Sequence, residues 1–370
     1  MEVQILSFFT GGGFLDIGFK QAGFSTCWTN ENNPAFISGY EHGMSAWLSS
    51  LKKKGHATAI ISNTSSISEL SARTVLRQAF SGPRPSIFGV IGGPPCPDFS
   101  AGGTHAGGNG SNGKLTSVFV DMLCELKPSF FVIENVPGLY RFHKHRAFFM
   151  RKINQLRQKG YAVDYKILSA LELGVPQDRE RLFIVGFRKA DAQRATGRKF
   201  TTTEEAWFSW PEIESYNGAK LLPWPKVSPF GKEPALPSGI PIELTVYPSL
   251  YDNGDPETIA NGDEHFNPYS EKFIIVQEGD VSRKSFKRLH RYRFSPTAWY
   301  GNQEVHLHPW KPRRLSVRET LRIQTVPDEY VLPKEMTLSA KFKMICNGVP
   351  CVMSFHLAGA LKRFLRKSIP

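Results

Sequence analysis

Short apolar runs alternate with stretches of helical spacing through the first half of the chain. Runs at Gln4–Phe9, Ser25–Thr29, Ile87–Ile91, Phe130–Glu134, Ala162–Leu168 and Leu182–Phe187 predict strands. Between Thr116 and Leu126, the residues Val118, Met122 and Leu126 fall at helical intervals and predict a helix. Strands separated by helices define an α/β chain with a doubly wound, mostly parallel sheet, and ligand sites are expected at its strand ends. The pattern is lost after Phe187. From Arg188 to Trp299 the chain is rich in Pro, Trp, Tyr and Gly, and Pro223, Pro225, Pro229, Pro234, Pro237, Pro241 and Pro248 punctuate it. This predicts a smaller domain of loops and short strands over 188–299. Helical signal returns at Ser316-Val317-Arg318-Glu319, a capping-box sequence, and a last amphipathic helix is predicted over Val352–Arg366. Its apolar face must pack on the first domain, which is therefore expected to be discontinuous, 1–187 and 300–370.

Composition narrows the class. The chain has 370 residues, 41% hydrophobic and 21% charged, as globular enzymes do. No run approaches the roughly 20 apolar residues that a spanning helix needs. The segment Val3–Phe9 is too short for a signal peptide and lacks a basic leader. A cytoplasmic protein without membrane contact is expected. The five cysteines, Cys27, Cys96, Cys124, Cys346 and Cys351, are odd in number and none has CxxC spacing, which argues against a disulfide framework or zinc. A net charge of +13 suits a polyanionic partner such as nucleic acid.

Candidate chemistry clusters at the strand ends. Phe9-Thr10-Gly11-Gly12-Gly13-Phe14 follows the first strand and opens a helix, a turn where a ligand can approach the backbone. Glu31 follows the second strand, where a carboxylate can accept from ribose hydroxyls. Asn63 lies where a third strand would end, and its carbonyl oxygen could accept from an adenine amino group. A plain turn, a solvated acid and a loop asparagine remain the alternatives. No Walker-type sequence is present, which disfavours a nucleoside triphosphate.

Gly92-Gly93-Pro94-Pro95-Cys96-Pro97 ends the Ile87 strand and places a thiol on a stiff turn at the sheet's edge, a position suited to a nucleophile. The next strand ends in Ile133-Glu134-Asn135, and neighbouring strand ends lie about 5 Å apart. Glu134 can therefore share a pocket with Cys96. Its apolar approach should raise its pKa and let it hold a proton.

These residues resemble the cytosine-5 DNA methyltransferase family. The resemblance rests on Pro95-Cys96 with Phe99-Ser100, Glu134-Asn135-Val136, Gln177-Asp178-Arg179-Glu180-Arg181, Arg314-Leu315-Ser316-Val317-Arg318-Glu319, Gln324 with Pro327-Asp328, and Asn347-Gly348-Val349-Pro350. The motifs appear in the family's order, across 1–187 and about 294–370. The resemblance implies a Rossmann-like fold dependent on S-adenosylmethionine, with 188–299 as the target-recognition domain. It implies that a cytosine is flipped out of duplex DNA, that Cys96 adds to C6, that Glu134 acts at N3, and that C5 takes the methyl group. Arg181 is expected at the cytosine O2, with Arg179 supporting the same network. Cofactor contacts are expected from Phe9, Gly11, Gly13, Glu31, Asn63, Pro95, Asn347 and Val349. Phe14, Asn63 and Cys346 depart from the family's usual glycine, aspartate and glycine.

The glycine-rich stretch Pro97–Lys114 is expected to form a lid over the DNA. Ser100, Lys114, Arg283, Lys287, Arg288, Arg291 and Arg293 are expected to contact DNA, since Arg and Lys hold phosphates or read guanine edges. The expected setting is restriction–modification or orphan methylation at the nucleoid. The protein would be a monomer with a cognate restriction endonuclease as functional partner. Two other readings remain at this stage: a tRNA cytosine-5 methyltransferase, and a non-catalytic DNA-binding relative.

Overall fold

The computed structural model describes residues 2–51, 59–95, 111–200, 206–252, 254–297, 300 and 304–368. Six strands form one sheet: β1 (Val3–Phe8), β2 (Phe24–Asn30), β3 (Phe88–Gly92), β4 (Phe130–Asn135), β5 (Tyr161–Ser169) and β6 (Glu180–Arg188), in the order β2-β1-β3-β4-β6-β5. The first four run parallel, and β6 runs antiparallel to both β4 and β5. Every residue of β3 and β4 is buried, as expected of central strands covered on both faces. The reversal of β6 is not encoded in an apolar run, which reads the same in either direction.

Helices cover both faces. One face packs against α1 (Phe14–Gln21), α7 (Lys189–Thr196) and α11 (Cys351–Ser368). The other packs against α3 (Ala72–Ala79), α4 (Ser111–Leu126) and α6 (His143–Gln158), the last preceded by the short α5 (Gly138–Arg141). A third cluster joins α2 (Pro34–Leu51), α9 (Val317–Ile323) and α10 (Leu338–Asn347) to Val246, Leu250 and Leu289 of the middle segment. The capping box forms: Ser316 Oγ accepts from the Glu319 amide, and Glu319 accepts from the Ser316 amide.

The last helix returns to the first domain, as the sequence requires. Ser354 Oγ donates to the Leu15 carbonyl at 2.6 Å, and Lys362 Nζ to the Ala22 carbonyl at 2.7 Å. A Cβ on Gly18 would lie 2.5 Å from the Phe355 amide nitrogen, so only glycine allows α1 and α11 this close. Against expectation, Leu338–Ser368 contains one 18-residue window apolar enough for a spanning helix. Here it is two helices, α10 and α11, separated at Gly348-Val349-Pro350, with most of that window buried in the protein.

Packing against the sheet continues past Phe187. Trp207 and Phe208 pack on Phe187 and Phe364, and both amides donate to Asp164 Oδ2 at 2.9 Å. Beyond them the middle segment has short 3-10 turns, one π turn and the four-residue α8 (Lys272–Ile275). Strands were expected there. Among the described residues it has only isolated bridges, such as Ser228 with Glu278 and Arg288 with Leu307.

Candidate active site

The carboxyl edge of the sheet gathers the catalytic-type residues. Gly92 pairs with Ile133 across β3 and β4, so Gly93 leaves the sheet beside Glu134, which is still paired with Phe183 of β6. A Cβ on Gly93 would lie 2.7 Å from Glu134 Oε2, so the turn toward Pro94 and Pro95 passes directly over the carboxyl group. The doubled glycine before Pro-Pro was the sequence signal for this closeness. Cys96 and Ser100 lie outside the described residues, as does most of the glycine-rich stretch from Pro97 to Lys114.

Glu134 is 8% exposed, and its Oε1 lies 2.9 Å from Arg181 Nε. Burial raises its pKa above the ordinary carboxylate value, opposed by the charges of Arg181 and Arg179. Burial prevails, so this group keeps a proton to higher pH than a free glutamate. Arg181 reaches Glu134 because β6 lies next to β4, and its Nη1 donates to the Glu180 carbonyl at 2.8 Å.

Arg179, two residues earlier, faces elsewhere. Its guanidinium is fully buried and donates through Nη2 to the carbonyls of Cys346 (2.7 Å) and Gly348 (2.8 Å). Burial and the neighbouring Arg181 pull its pKa down to about 9. Its Nε and Nη1, and both side-chain polar atoms of Gln177, have no hydrogen-bond partner among the described residues.

Several of the residues expected around a cofactor lie at the β1 end. Phe9 and Gly11 both have φ of 54°, and the Cβ position at Gly11 meets nothing within 4 Å. That open backbone is a surface a ligand can approach. A Cβ on Gly13 would strike the Tyr40 ring at 2.7 Å. Glu31 accepts from the amides of Gly11 (2.9 Å), Asn32 (3.0 Å) and Asn33 (2.9 Å), which fixes an acceptor beside the glycine turn. The expected third strand is a single bridge between Asn30 and Asn63. Asn63 Nδ2 donates to Gln78 Oε1 at 3.1 Å and its Oδ1 accepts from the Ser65 amide at 2.9 Å. Pro95 and Asn347 are exposed and Val349 is buried. An approachable glycine turn, a fixed carboxylate and a carbonyl acceptor fit a nucleoside-bearing sulfonium donor.

Two aromatic residues shape this pocket. Phe14, where a glycine was expected, fills the space against Gly348: a Cβ there would lie 2.2 Å from its ring. Tyr330 packs edge-on against Phe14, and its hydroxyl lies 2.8 Å from the Gly12 carbonyl. Tyr330 was missed by the sequence reading, where nothing but its place after Pro327-Asp328 marks it.

The basic residues of the middle segment separate into two groups. Arg283 is exposed beside Asp280, Lys287 and Arg293 are half-buried, and Lys114 is exposed on α4. Arg293 lines a pocket of about 210 Å³ with Asp178, Lys220, His290 and Phe294. Arg288 and Arg291 are corrections to the expected DNA-contacting set. Arg288 is fully buried and donates to the carbonyls of Val276 (2.7 Å), Phe273 (2.6 Å), His308 (2.5 Å) and Lys311 (3.2 Å). Arg291 is buried in a two-bond pair with Glu278, 3.0 Å at each contact. Neither guanidinium is available to a phosphate.

A mostly parallel sheet covered by helices on both faces, a glycine turn after β1, an acid after β2 and a buried glutamate near the end of β4 define a Rossmann-like fold of the methyltransferase type. Comparison with known proteins narrows the class. The C-5 cytosine-specific DNA methylase family matches residues 3–363. The Type II methyltransferase M.NmeDI of Neisseria meningitidis serogroup C is 42% identical, over 98% of this chain and 84% of its own length. The Type II methyltransferase M.MthTI of Methanothermobacter thermautotrophicus is 30% identical, over 99% and 98%. The crystal structure of the S. pombe Dnmt2 methyltransferase shares the fold, with a TM-score of 0.59 and 14% identity over 98% of this chain and 99% of its own. The chain belongs to the C-5 cytosine-specific DNA methylase family.

Proposed function

We propose that this protein is the modification methyltransferase of a type II restriction–modification system, acting on one cytosine within a specific duplex DNA sequence. The observation that carries the reading is the closeness of Gly93 to the buried Glu134 carboxyl group, where an added Cβ would lie 2.7 Å from Oε2. Gly93 stands three residues before Cys96 in the sequence, which supports the reading that Cys96 and Glu134 act on the same base. In this reading the target base is flipped out of the duplex, and the Cys96 thiolate adds to C6. Glu134, held by Arg181, gives its proton or a hydrogen bond to N3 while the ring takes up the electron pair. C5 then accepts a methyl group, C5 loses its proton, and the Cys96 sulfur leaves.

S-adenosylmethionine supplies the electrophilic methyl group. Phe9, Gly11, Gly13, Glu31, Asn63, Pro95, Asn347 and Val349 would hold it, with Glu31 accepting from ribose and Asn63 from the adenine amino group. Lys114, Arg283, Lys287 and Arg293 would hold the DNA. The type II names of the relatives support a cognate endonuclease as functional partner and a place of work on cytoplasmic, nucleoid DNA.

Bisulfite sequencing of DNA from cells expressing the chain is expected to show 5-methylcytosine at one short motif. Cys96→Ala should abolish it while DNA binding persists, and duplex containing 5-fluorocytosine should trap a covalent adduct. Methylation of tRNA alone, or full turnover by Cys96→Ala, would overturn the proposal.

A further inference from the structure

The two arginines of the Gln177-Asp178-Arg179-Glu180-Arg181 segment are two residues apart but serve different neighbours. Arg181 is paired with Glu134. Arg179 reaches across to the turn between α10 and α11 and binds the carbonyls of Cys346 and Gly348. Other side chains hold that turn too. Gln324 Nε2 donates to the Ile345 carbonyl at 3.0 Å, and the Phe14 ring sits against Gly348. Phe14 belongs to the glycine turn, and Tyr330 ties its Gly12 carbonyl to the same cluster. The turn is thus clamped between Arg179 of the catalytic side and Phe14 of the glycine turn. Its next residues, Asn347 and Val349, are ones assigned above to the methyl donor.

We propose that Arg179 is a positioning residue for the methyl-donor pocket, acting through the Cys346–Gly348 turn, and does not contact the cytosine. The inference rests on the cofactor reading given above. Its physical basis is the number and direction of donors. Guanidinium can hold two carbonyls from one nitrogen while its plane stays locked in a buried slot; an ammonium in the same slot cannot keep that geometry. Loosening the turn moves Asn347 and Val349, so the loss should fall on donor binding.

The test uses Arg179→Lys and Arg181→Lys in the full chain. S-adenosylhomocysteine binding is measured by calorimetry, and kcat and donor KM are measured on plasmid DNA. For Arg179→Lys the expected result is a dissociation constant and a donor KM about tenfold higher, because buried carbonyls lose their donors, with kcat keeping most of its value. For Arg181→Lys the split is reversed: kcat falls and S-adenosylhomocysteine binds as it does to the unaltered protein. An Arg179→Lys protein that binds the product normally and loses kcat would overturn the inference.

If Arg179→Lys does not fold, hydrogen exchange on the unaltered protein decides. S-adenosylhomocysteine should protect peptides covering both 344–350 and 176–182. Protection of 344–350 without 176–182 would overturn the role given to Arg179. Failure of the unaltered protein to bind S-adenosylhomocysteine would overturn the cofactor reading, and this inference with it.

Discussion

The sheet domain and the middle segment satisfy their buried backbone by different means. In the sheet, carbonyls of β1 to β6 are met by neighbouring strands. Among its described residues the middle segment has only isolated bridges, and its buried carbonyls must find donors elsewhere. Arginine supplies them. Arg288 holds four carbonyls, and Arg318 holds those of Ala260 (3.0 Å) and Tyr330 (2.9 Å). From the returning chain, Arg313 pairs with Glu257 of the segment. A region poor in regular structure consumes positive charge internally. In the sheet domain the ladder meets the backbone of the strands; Arg179 still holds two loop carbonyls, while Arg181 is set against the buried Glu134 carboxyl group. Loop carbonyls draw arginine in both regions, and only the sheet domain's candidate site sets one against Glu134.

The largest expected effect tests the chemical half of that contrast. In the proposed mechanism Glu134→Gln removes the acid that serves N3, and kcat should fall by roughly 10²–10⁴-fold with the fold retained. Its pH profile gives a second check. In the unaltered protein Glu134 keeps its proton above the ordinary carboxylate range, so the rate should fall as pH rises through that raised value. The Gln variant should lack that limb. A Glu134→Gln protein with ordinary turnover would break the contrast at its chemical end.

Arg288→Met tests the scaffold half. It leaves four buried carbonyls unmet, and urea unfolding should show a loss of about 3–5 kcal/mol. The folded fraction should bind DNA with nearly unaltered affinity. A large affinity loss without a stability loss would return Arg288 to the DNA interface.

Buried acids sharpen the comparison further. Glu278 of the middle segment and Glu319 of α9 are each paired with an arginine. Asp16 in α1 has no cation beside it, only the hydroxyls of Ser7, at 2.6 Å, and Tyr40, and burial raises its pKa to about 7. The folded state therefore holds a proton that the unfolded chain releases near pH 4. Stability is full below that pH and is lost as pH rises toward 7. Asp16→Asn should erase a change of roughly 2–4 kcal/mol between pH 4 and pH 8 in urea titrations. An unaltered pH dependence would mean that Asp16 is ionised when folded.

The smallest effect concerns the exposed cations. Arg283→Ala and Lys114→Ala should each weaken DNA binding a few-fold and lower the salt slope by about one, read by fluorescence anisotropy. Slopes that stay fixed would place both side chains off the DNA path.

The strands and their order of appearance were legible because buried strands require apolar runs, and Glu134 was legible because it ends one. The antiparallel course of β6 was not, since an apolar run carries no direction. Arg288 and Arg291 were misread for a related reason. A basic stretch with interleaved Phe286 and Phe294 looks the same whether its guanidiniums face water or loop carbonyls. What decides is Glu278 and carbonyls as distant as His308, which no local window contains. Tyr330 reaches Gly12 across more than three hundred residues, beyond any spacing rule.

The contact between α1 and α11 has a consequence for how the molecule is made. The helix that follows the glycine turn rests on the last one, through Leu15 with Ser354 and Ala22 with Lys362. During synthesis α1 emerges long before its partner, and contacts so distant along the chain form late. A nascent chain halted before residue 351 would have its glycine turn but nothing to seat it against. Such products should be released as inert, protease-sensitive fragments, so an interrupted ribosome would yield no partly competent enzyme.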